Sequence, residues 1–202
     1  IRYSNDSGAT YPAGKIINAS CPAGSSPYTL WTIPNDICST LKMNITDTGN
    51  GDVYDESNNT FAIKGSMELL SPLGGENWTV NTKHDITWKT HGTYSENIVV
   101  QLSTDNGGNW TNISSETPAA DNVSKTYNWT IPDNITDKAK IRVVTNETDD
   151  TINANASSPS FYLIGNITIT SPAENDTWYY NASQNITWNS KGTFPVNIWY
   201  SV

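Results

Sequence analysis

Asparagine is the residue whose spacing points most directly to chemistry. Sixteen of the chain's 25 asparagines open an Asn-X-Ser/Thr triplet, the acceptor whose side-chain amide nitrogen takes an N-linked sugar. They are Asn5, Asn18, Asn44, Asn58, Asn77, Asn109, Asn112, Asn122, Asn128, Asn134, Asn146, Asn155, Asn166, Asn175, Asn181 and Asn185. Serine and threonine make up about a quarter of the chain, so chance would give only about six triplets. A chain built to carry this much sugar is expected outside the cytoplasm, at the cell surface.

Other reactive groups are few. Cys21 and Cys38 are the only cysteines; in an oxidising compartment a disulfide between them is expected. No C-x-x-C spacing or neighbouring histidine suggests zinc or redox chemistry instead. The loop Asp47-Thr48-Gly49-Asn50-Gly51-Asp52, followed by Asp55 and Glu56, gathers oxygen ligands on short spacing. Asp47, Asp52 and Asp55 could hold a calcium ion, although EF-hand spacing is absent; a solvated turn of Asn, Asp and Gly is the competing reading. No other metal or cofactor is expected. The two histidines, His84 and His91, align with Gln184 and Lys191 elsewhere in the chain, which suits surface positions better than a general base. No Ser-His-Asp or Cys-His set can be assembled, and no Gly-rich loop leads into a helix to cradle phosphate. The chain is not expected to be an enzyme.

Ser103, Asp105, Gly107 and Trp110 spell S-x-D-x-G-x-x-W, and Ser4, Asp6, Gly8 and Tyr11 repeat it with tyrosine. The carboxylate is expected to accept from turn amides, Gly to take positive φ, and the aromatic to pack beneath a hairpin. The motif resembles the Asp-box of sialidase-like proteins, where the resemblance implies a structural hairpin away from any active site. Two arginines, Arg2 and Arg142, cannot supply the cluster such an enzyme needs for its substrate carboxylate.

The elements that carry these residues follow from composition and repetition. A formal charge of −9 and a pI near 4.5 exclude a nucleic-acid partner, which needs a basic face. No apolar run approaches the eighteen or so residues of a membrane span, so none is expected in this segment, and any targeting signal or anchor is expected outside it. Val, Ile, Thr, Tyr and Trp punctuated by Asn, Gly, Pro and Ser, without 3.6-residue periodicity, point to an all-β chain.

Displacing the sequence by about one hundred residues brings distant segments into register. Leu70-Ser71-Pro72 returns as Thr170-Ser171-Pro172, Ile86-Thr87-Trp88 as Ile186-Thr187-Trp188, and Gly92-Thr93 as Gly192-Thr193. Trp31-Thr32-Ile33-Pro34 returns as Trp129-Thr130-Ile131-Pro132, and Phe61 as Phe161. Residues 1–65 are therefore expected to be the back part of one module, 66–164 a complete module and 165–202 the front part of another, with Val202 inside a strand. The complete module reads as seven strands near residues 67–70, 84–88, 97–103, 110–113, 126–131, 139–145 and 160–164, the number of an immunoglobulin-like or fibronectin-like sandwich. Period-2 alternation places Ile86 and Trp88 inside, Asp85 and Thr87 outside. The same rule puts the apolar residues of Asn128-Trp129-Thr130-Ile131, Asn166-Ile167-Thr168-Ile169 and Asn185-Ile186-Thr187-Trp188 inward, leaving Asn and Thr outside, where sugar would hinder edge-to-edge strand pairing. Trp31, Trp78, Trp88 and Trp129 are expected in the core. Trp199, read in register with Arg2 and Gln101, is expected on an outward face, as a contact to a neighbour or glycan or as an isolated surface aromatic.

Taken together, the Ser-Pro start, Ile-Thr-Trp strand, Gly-Thr turn, Asp-box-like hairpin and Trp-Thr-Ile-Pro strand resemble the immunoglobulin-like tandem repeats of microbial cell-surface proteins, and also fungal cell-wall repeats of the Knh type. The acidic, sequon-dense, cysteine-poor composition is similar to archaeal surface-layer and appendage glycoproteins. The resemblance implies a structural subunit of an extracellular layer or filament. Its expected partners are N-linked glycans and other copies of itself in a fibre or lattice, with modules joined end to end either within a longer repeat polypeptide or by terminal half-modules completing one another through strand exchange. The alternative is an adhesin or carbohydrate-binding repeat of a larger surface protein.

Overall fold

The computed structural model of the chain describes residues 1–21, 24 and 28–201; Val202 lies outside the described residues. The fold is all-β, and among the described residues its only helical element is one 3₁₀ turn, Asp150–Ile152. The first segment supplies β1 (Arg2–Ser4), β2 (Cys38–Thr46), β3 (Tyr54–Glu56) and β4 (Phe61–Ile63). The central segment supplies β5 (Ser66–Ser71), β6 (Asn77–Thr79), β7 (Lys83–His91), β8 (Ile98–Ser103), β9 (Thr111–Glu116), β10 (Ser124–Thr130), β11 (Thr136–Thr145), β12 (Asn155–Ser157) and β13 (Phe161–Ile164). The last contains β14 (Asn166–Ser171) and β15 (Thr187–Lys191).

All seven strands expected between residues 66 and 164 are present, joined by two short ones, β6 and β12. They form two sheets, one ordered β10-β7-β5 and the other β6-β13-β11-β8-β9, with β12 on β11. Burial alternates along β7 and β11, so one row of side chains from each sheet meets in a shared core. Ile86, Trp88 and Trp129 from the first sheet meet Val100, Ile141, Val143, Phe161 and Leu163 from the second. Each such side chain contributes roughly 1.5–3 kcal/mol by leaving water.

The outer segments repeat parts of this plan, register included. β14 pairs with β15 as β5 pairs with β7: Ile167 faces Ser190 where Met67 faces Thr90, and both pairs shift register just before Ser171 and Ser71. In the first segment β2 pairs with β1, β3 and β4 as β11 pairs with β8, β12 and β13. The irregularity between Cys38 and Leu41 recurs between Thr136 and Ala139. The first segment has only a small core of Tyr3, Leu41 and Ile63, with Trp31 and Phe61 packed against it.

Three expectations are corrected. Trp31 is half-buried, unlike Trp78, Trp88 and Trp129, because residues 28–34 form no strand and, among the described residues, no counterpart of β7 lies beside them. The apolar residues of the last segment are not covered: Ile169 is 65% exposed and Trp188 38%, whereas Trp88 is 1% exposed. The constant offset of 100 between β5–β7 and β14–β15 places Trp199 opposite Val99, not Gln101. Val99 is half-buried and alternates with the buried Ile98 and Val100, so the outward orientation stands while the register partner changes.

Candidate functional site: a sequon-bearing surface

Fourteen of the sixteen sequon asparagines are exposed, and the other two, Asn18 and Asn44, are half-buried. Strand geometry accounts for several of them. Asn128 projects outward from β10 beside the buried Trp129, because successive side chains alternate faces. On β2 and β14 the hydroxyls of Thr46 and Thr168 donate to Oδ1 of Asn44 and Asn166 on the same face, the second at 3.4 Å. Three more, Asn122, Asn175 and Asn181, take positive φ of 60–69°, a conformation asparagine tolerates in tight turns.

Some acceptor amides already hold partners. Nδ2 of Asn109 donates to Asp105 Oδ2 at 2.6 Å, that of Asn128 to Asp85 Oδ1 at 2.6 Å, and that of Asn18 to Thr29 Oγ1 at 3.0 Å. A primary amide carries two hydrogens and glycosylation replaces one. The bond needs only one of these hydrogens, and the second is free for replacement where the bond does not use it.

Both Asp-box-like hairpins are built as the residue types dictate. The Ser103 hydroxyl donates to Asp105 Oδ1 at 2.7 Å and accepts from the Gly107 amide at 2.8 Å, while Asp105 Oδ1 accepts from the Asn109 amide at 2.9 Å. In the first segment the Ser4 hydroxyl donates to Asp6 and accepts from the Gly8 amide at 2.9 Å, and Asp6 accepts from the Thr10 amide at 2.9 Å. Gly107 and Gly8 have φ of +93° and +89°. Trp110 lies against Gly107, and the Arg142 guanidinium sits 4.3 Å from its ring centroid.

These bonds set an acid limit. The Asn109 amide, then the Ser103 hydroxyl, hold the Asp105 carboxyl at about 2 against an ordinary 3.8; the Ser4 hydroxyl, then Thr10, do the same for Asp6. A carboxylate with a depressed folded-state pKa stabilises above its unfolded value, and that contribution is lost as pH falls through the folded one. The hairpins are expected to keep full order above about pH 4 and to loosen between pH 4 and 2. Amide chemical shifts of Asn109 and Thr10 should move together over that range, and Asp105→Ala should remove the transition at Asn109 alone.

The other candidate residues do not converge. His84 is half-buried and stacks on Trp78, with centroids 4.7 Å apart; His91 is exposed, 3.9 Å from Glu68. They stand at opposite ends of β7, roughly 23 Å apart at the rise of a strand. In the acidic loop Asp47 Oδ1 accepts from the Gly49 amide and Asn50 Oδ1 from the Asp52 amide, the bonds of tight turns. Asp55 lies on β3, and among the described residues no three acidic, imidazole or thiol groups gather as a metal site would require. Cys21 and Cys38 are separate thiols in the structure, so the expected cross-link is not formed there. Cys38 Sγ turns instead toward Thr40 Oγ1, 2.9 Å away, and the Asn5 carbonyl, 3.5 Å away.

Glu147 was not apparent from the sequence, where it reads as one acid in an acidic loop. It is nearly buried and accepts from the Ser95 amide and hydroxyl and the Glu96 amide at 2.7–3.0 Å. Burial alone would raise its carboxyl, but the Glu96 amide and then Ser95 hold it below the ordinary range. It thereby fixes the loop between β7 and β8. No helix among the described residues is long and apolar enough to cross a membrane. No protein-family model matches the chain, and no curated protein matches it.

Proposed function

We propose that the chain is a structural glycoprotein segment of an extracellular surface layer or filament, made of immunoglobulin-like β-sandwich modules in series. The single observation that carries this reading is the placement of the sequons: sixteen acceptors stand on one full and two partial copies of a strand plan, and none of them is buried. Sugar so placed coats the outer faces and strand edges while leaving the cores intact, and it suppresses the lateral strand pairing to which serial sandwiches are exposed. The sheet orders of residues 66–164 support the immunoglobulin-like topology, since a three-stranded sheet faces a larger one whose first strand, β6, runs parallel to β13. The chain's role is non-catalytic and its place is the cell surface.

Assembly follows from the outer modules. Among the described residues no sheet covers the face carrying Ile169, Ile186 and Trp188 as one covers Leu69, Ile86 and Trp88. The first module carries counterparts of β8, β11, β12 and β13, which build that partner sheet in the centre. Each can supply what the other lacks, whether the neighbouring module belongs to the same longer polypeptide or to another copy, so modules continue end to end. An adhesin reading draws on the exposed Tyr179, Tyr180, Trp199 and Tyr200. Tyr180 and Tyr200, however, correspond to the fully buried Val80 and Val100, which marks them as uncovered core and not as a sugar platform.

Glycopeptide mass spectrometry of the native material tests the reading. Carbohydrate is expected on most of the sixteen asparagines. Bare asparagine throughout would remove the basis for an extracellular coat.

A further inference from the structure

Two junctions join the three modules, and the same contacts recur in both. At the first, Asn35 grips Thr93: its Oδ1 accepts from the Thr93 amide at 2.9 Å and its Nδ2 donates to the Thr93 hydroxyl at 2.9 Å. At the second, Asp133 grips Thr193: Oδ1 accepts from the Thr193 amide at 3.1 Å and Oδ2 from the Thr193 hydroxyl at 2.7 Å. Asn35 and Asp133 both follow the Trp-Thr-Ile-Pro motif, and both threonines belong to the Gly-Thr turn.

The packing around these bonds recurs as well. Two residues after each gripping side chain comes an isoleucine, Ile37 or Ile135, seated on the glycine of the turn. A Cβ on Gly92 would fall 2.5 Å from Ile37 Cδ1, and one on Gly192 would fall 3.1 Å from Ile135 Cδ1 and 2.7 Å from Val80 Cγ2. Both glycines have φ near +100°, at +107° and +92°. The connections leave little slack: two residues, Lys64 and Gly65, separate β4 from β5, and Gly165 alone separates β13 from β14. A Cβ on Gly65 would lie 2.3 Å from the Tyr94 hydroxyl, and one on Gly165 2.3 Å from Phe194 Cε1. Backbone and ring therefore touch at each connection, with no room for a larger residue. The first junction is reinforced by the Ser39 hydroxyl, which donates to Asp149, and by the 3₁₀ turn lying against β2 and β4.

We infer that the Asn or Asp after each Trp-Thr-Ile-Pro strand and the Gly-Thr turn of the following module form a repeating clamp, which holds consecutive modules in one fixed relative orientation. The surface thus has a defined partner, the turn of the next module. Flexible linkers would leave the modules as independent bodies; a two-pronged hydrogen bond over a one- or two-residue connection does not. Repeating one such head-to-tail contact generates a helical rod of set pitch. The inference rests on the two junctions and holds whatever the array is for.

Amide hydrogen exchange and residual dipolar couplings on the full chain test it. In the unaltered protein the Thr93 and Thr193 amides should be protected, and one alignment tensor should fit the couplings of all three modules. Asn35→Ala should speed exchange at Thr93 roughly tenfold and leave Thr193 unchanged, while Asp133→Ala should do the reverse. Both positions are exposed, so the core amides of Val100 and Ile141 should report an intact fold in each variant. Gly165→Ala should separate the tensors of the second and third modules. Turn amides that exchange freely in the unaltered chain, or modules that already need separate tensors, would overturn the clamp, as would variants that leave both readouts unmoved.

Discussion

Trp88→Ala is expected to destabilise the central module by about 3–5 kcal/mol, the cost of emptying a large aromatic site in a closed core. Trp188→Ala, the same change in the same Ile-Thr-Trp motif, is expected to cost the dispersed chain a small fraction of that. Local sequence and strand register are shared; only the covering sheet differs. Trp88 is 1% exposed between two sheets, while Trp188, on a two-stranded ribbon, is 38% exposed. Removing a side chain that water already reaches leaves little cavity and returns little apolar area to solvent. Denaturant unfolding followed by near-ultraviolet circular dichroism checks the pair. Equal losses would show that the third module has a closed core of its own.

Ile186→Lys is expected to weaken association between copies by a hundredfold to several thousandfold, while leaving the unfolding of the central module unchanged. Ile186 is 40% exposed in the separate chain, but its counterpart Ile86 is fully buried under the second sheet. If a neighbour's strands close over Ile186 in the same way, lysine there becomes an unpaired buried charge. Such a charge costs about 3–5 kcal/mol, and every 1.4 kcal/mol is a factor of ten in the association constant. A control at Asn189, on β15 and matching the outward-facing Lys89, should have a much smaller effect, because surface changes of that kind are nearly neutral.

Much of the architecture was legible in the residues. The repeat offset located the strands, since Ile86-Thr87-Trp88 falls in β7 and its copy runs into the start of β15, with one register between them. Alternation sorted Trp129 inward and Asn128 outward, and the Asp-box-like spacing described the hairpin bonds of Asp6 and Asp105. What escaped is what depends on distant partners. β6 and β12 are three residues each, too short for a period to show, and they exist because β13 and β11 offer free edges to them. Trp31 shares its motif with Trp129 but not its burial, because burial belongs to the opposite sheet and not to the motif. Alignment alone also placed Trp199 two residues out, where insertions between modules shift the offset from 98 to 100. The clamp was hidden for a different reason. It joins residues 58 and 60 positions apart, and its gripping position is asparagine in one copy and aspartate in the other, alike only in the oxygen that accepts the turn amide.

Electron cryomicroscopy of the glycosylated chain at rising concentration, with Ile186→Lys beside it, most directly tests whether these modules build a continuous array. A continuous array should give unbranched rods or sheets in which sandwich density repeats without a gap from copy to copy and sugar density lines the flanks, together with short separate particles for the variant. Separate particles for both proteins at every concentration, with the Trp188 face open to solvent, would contradict it.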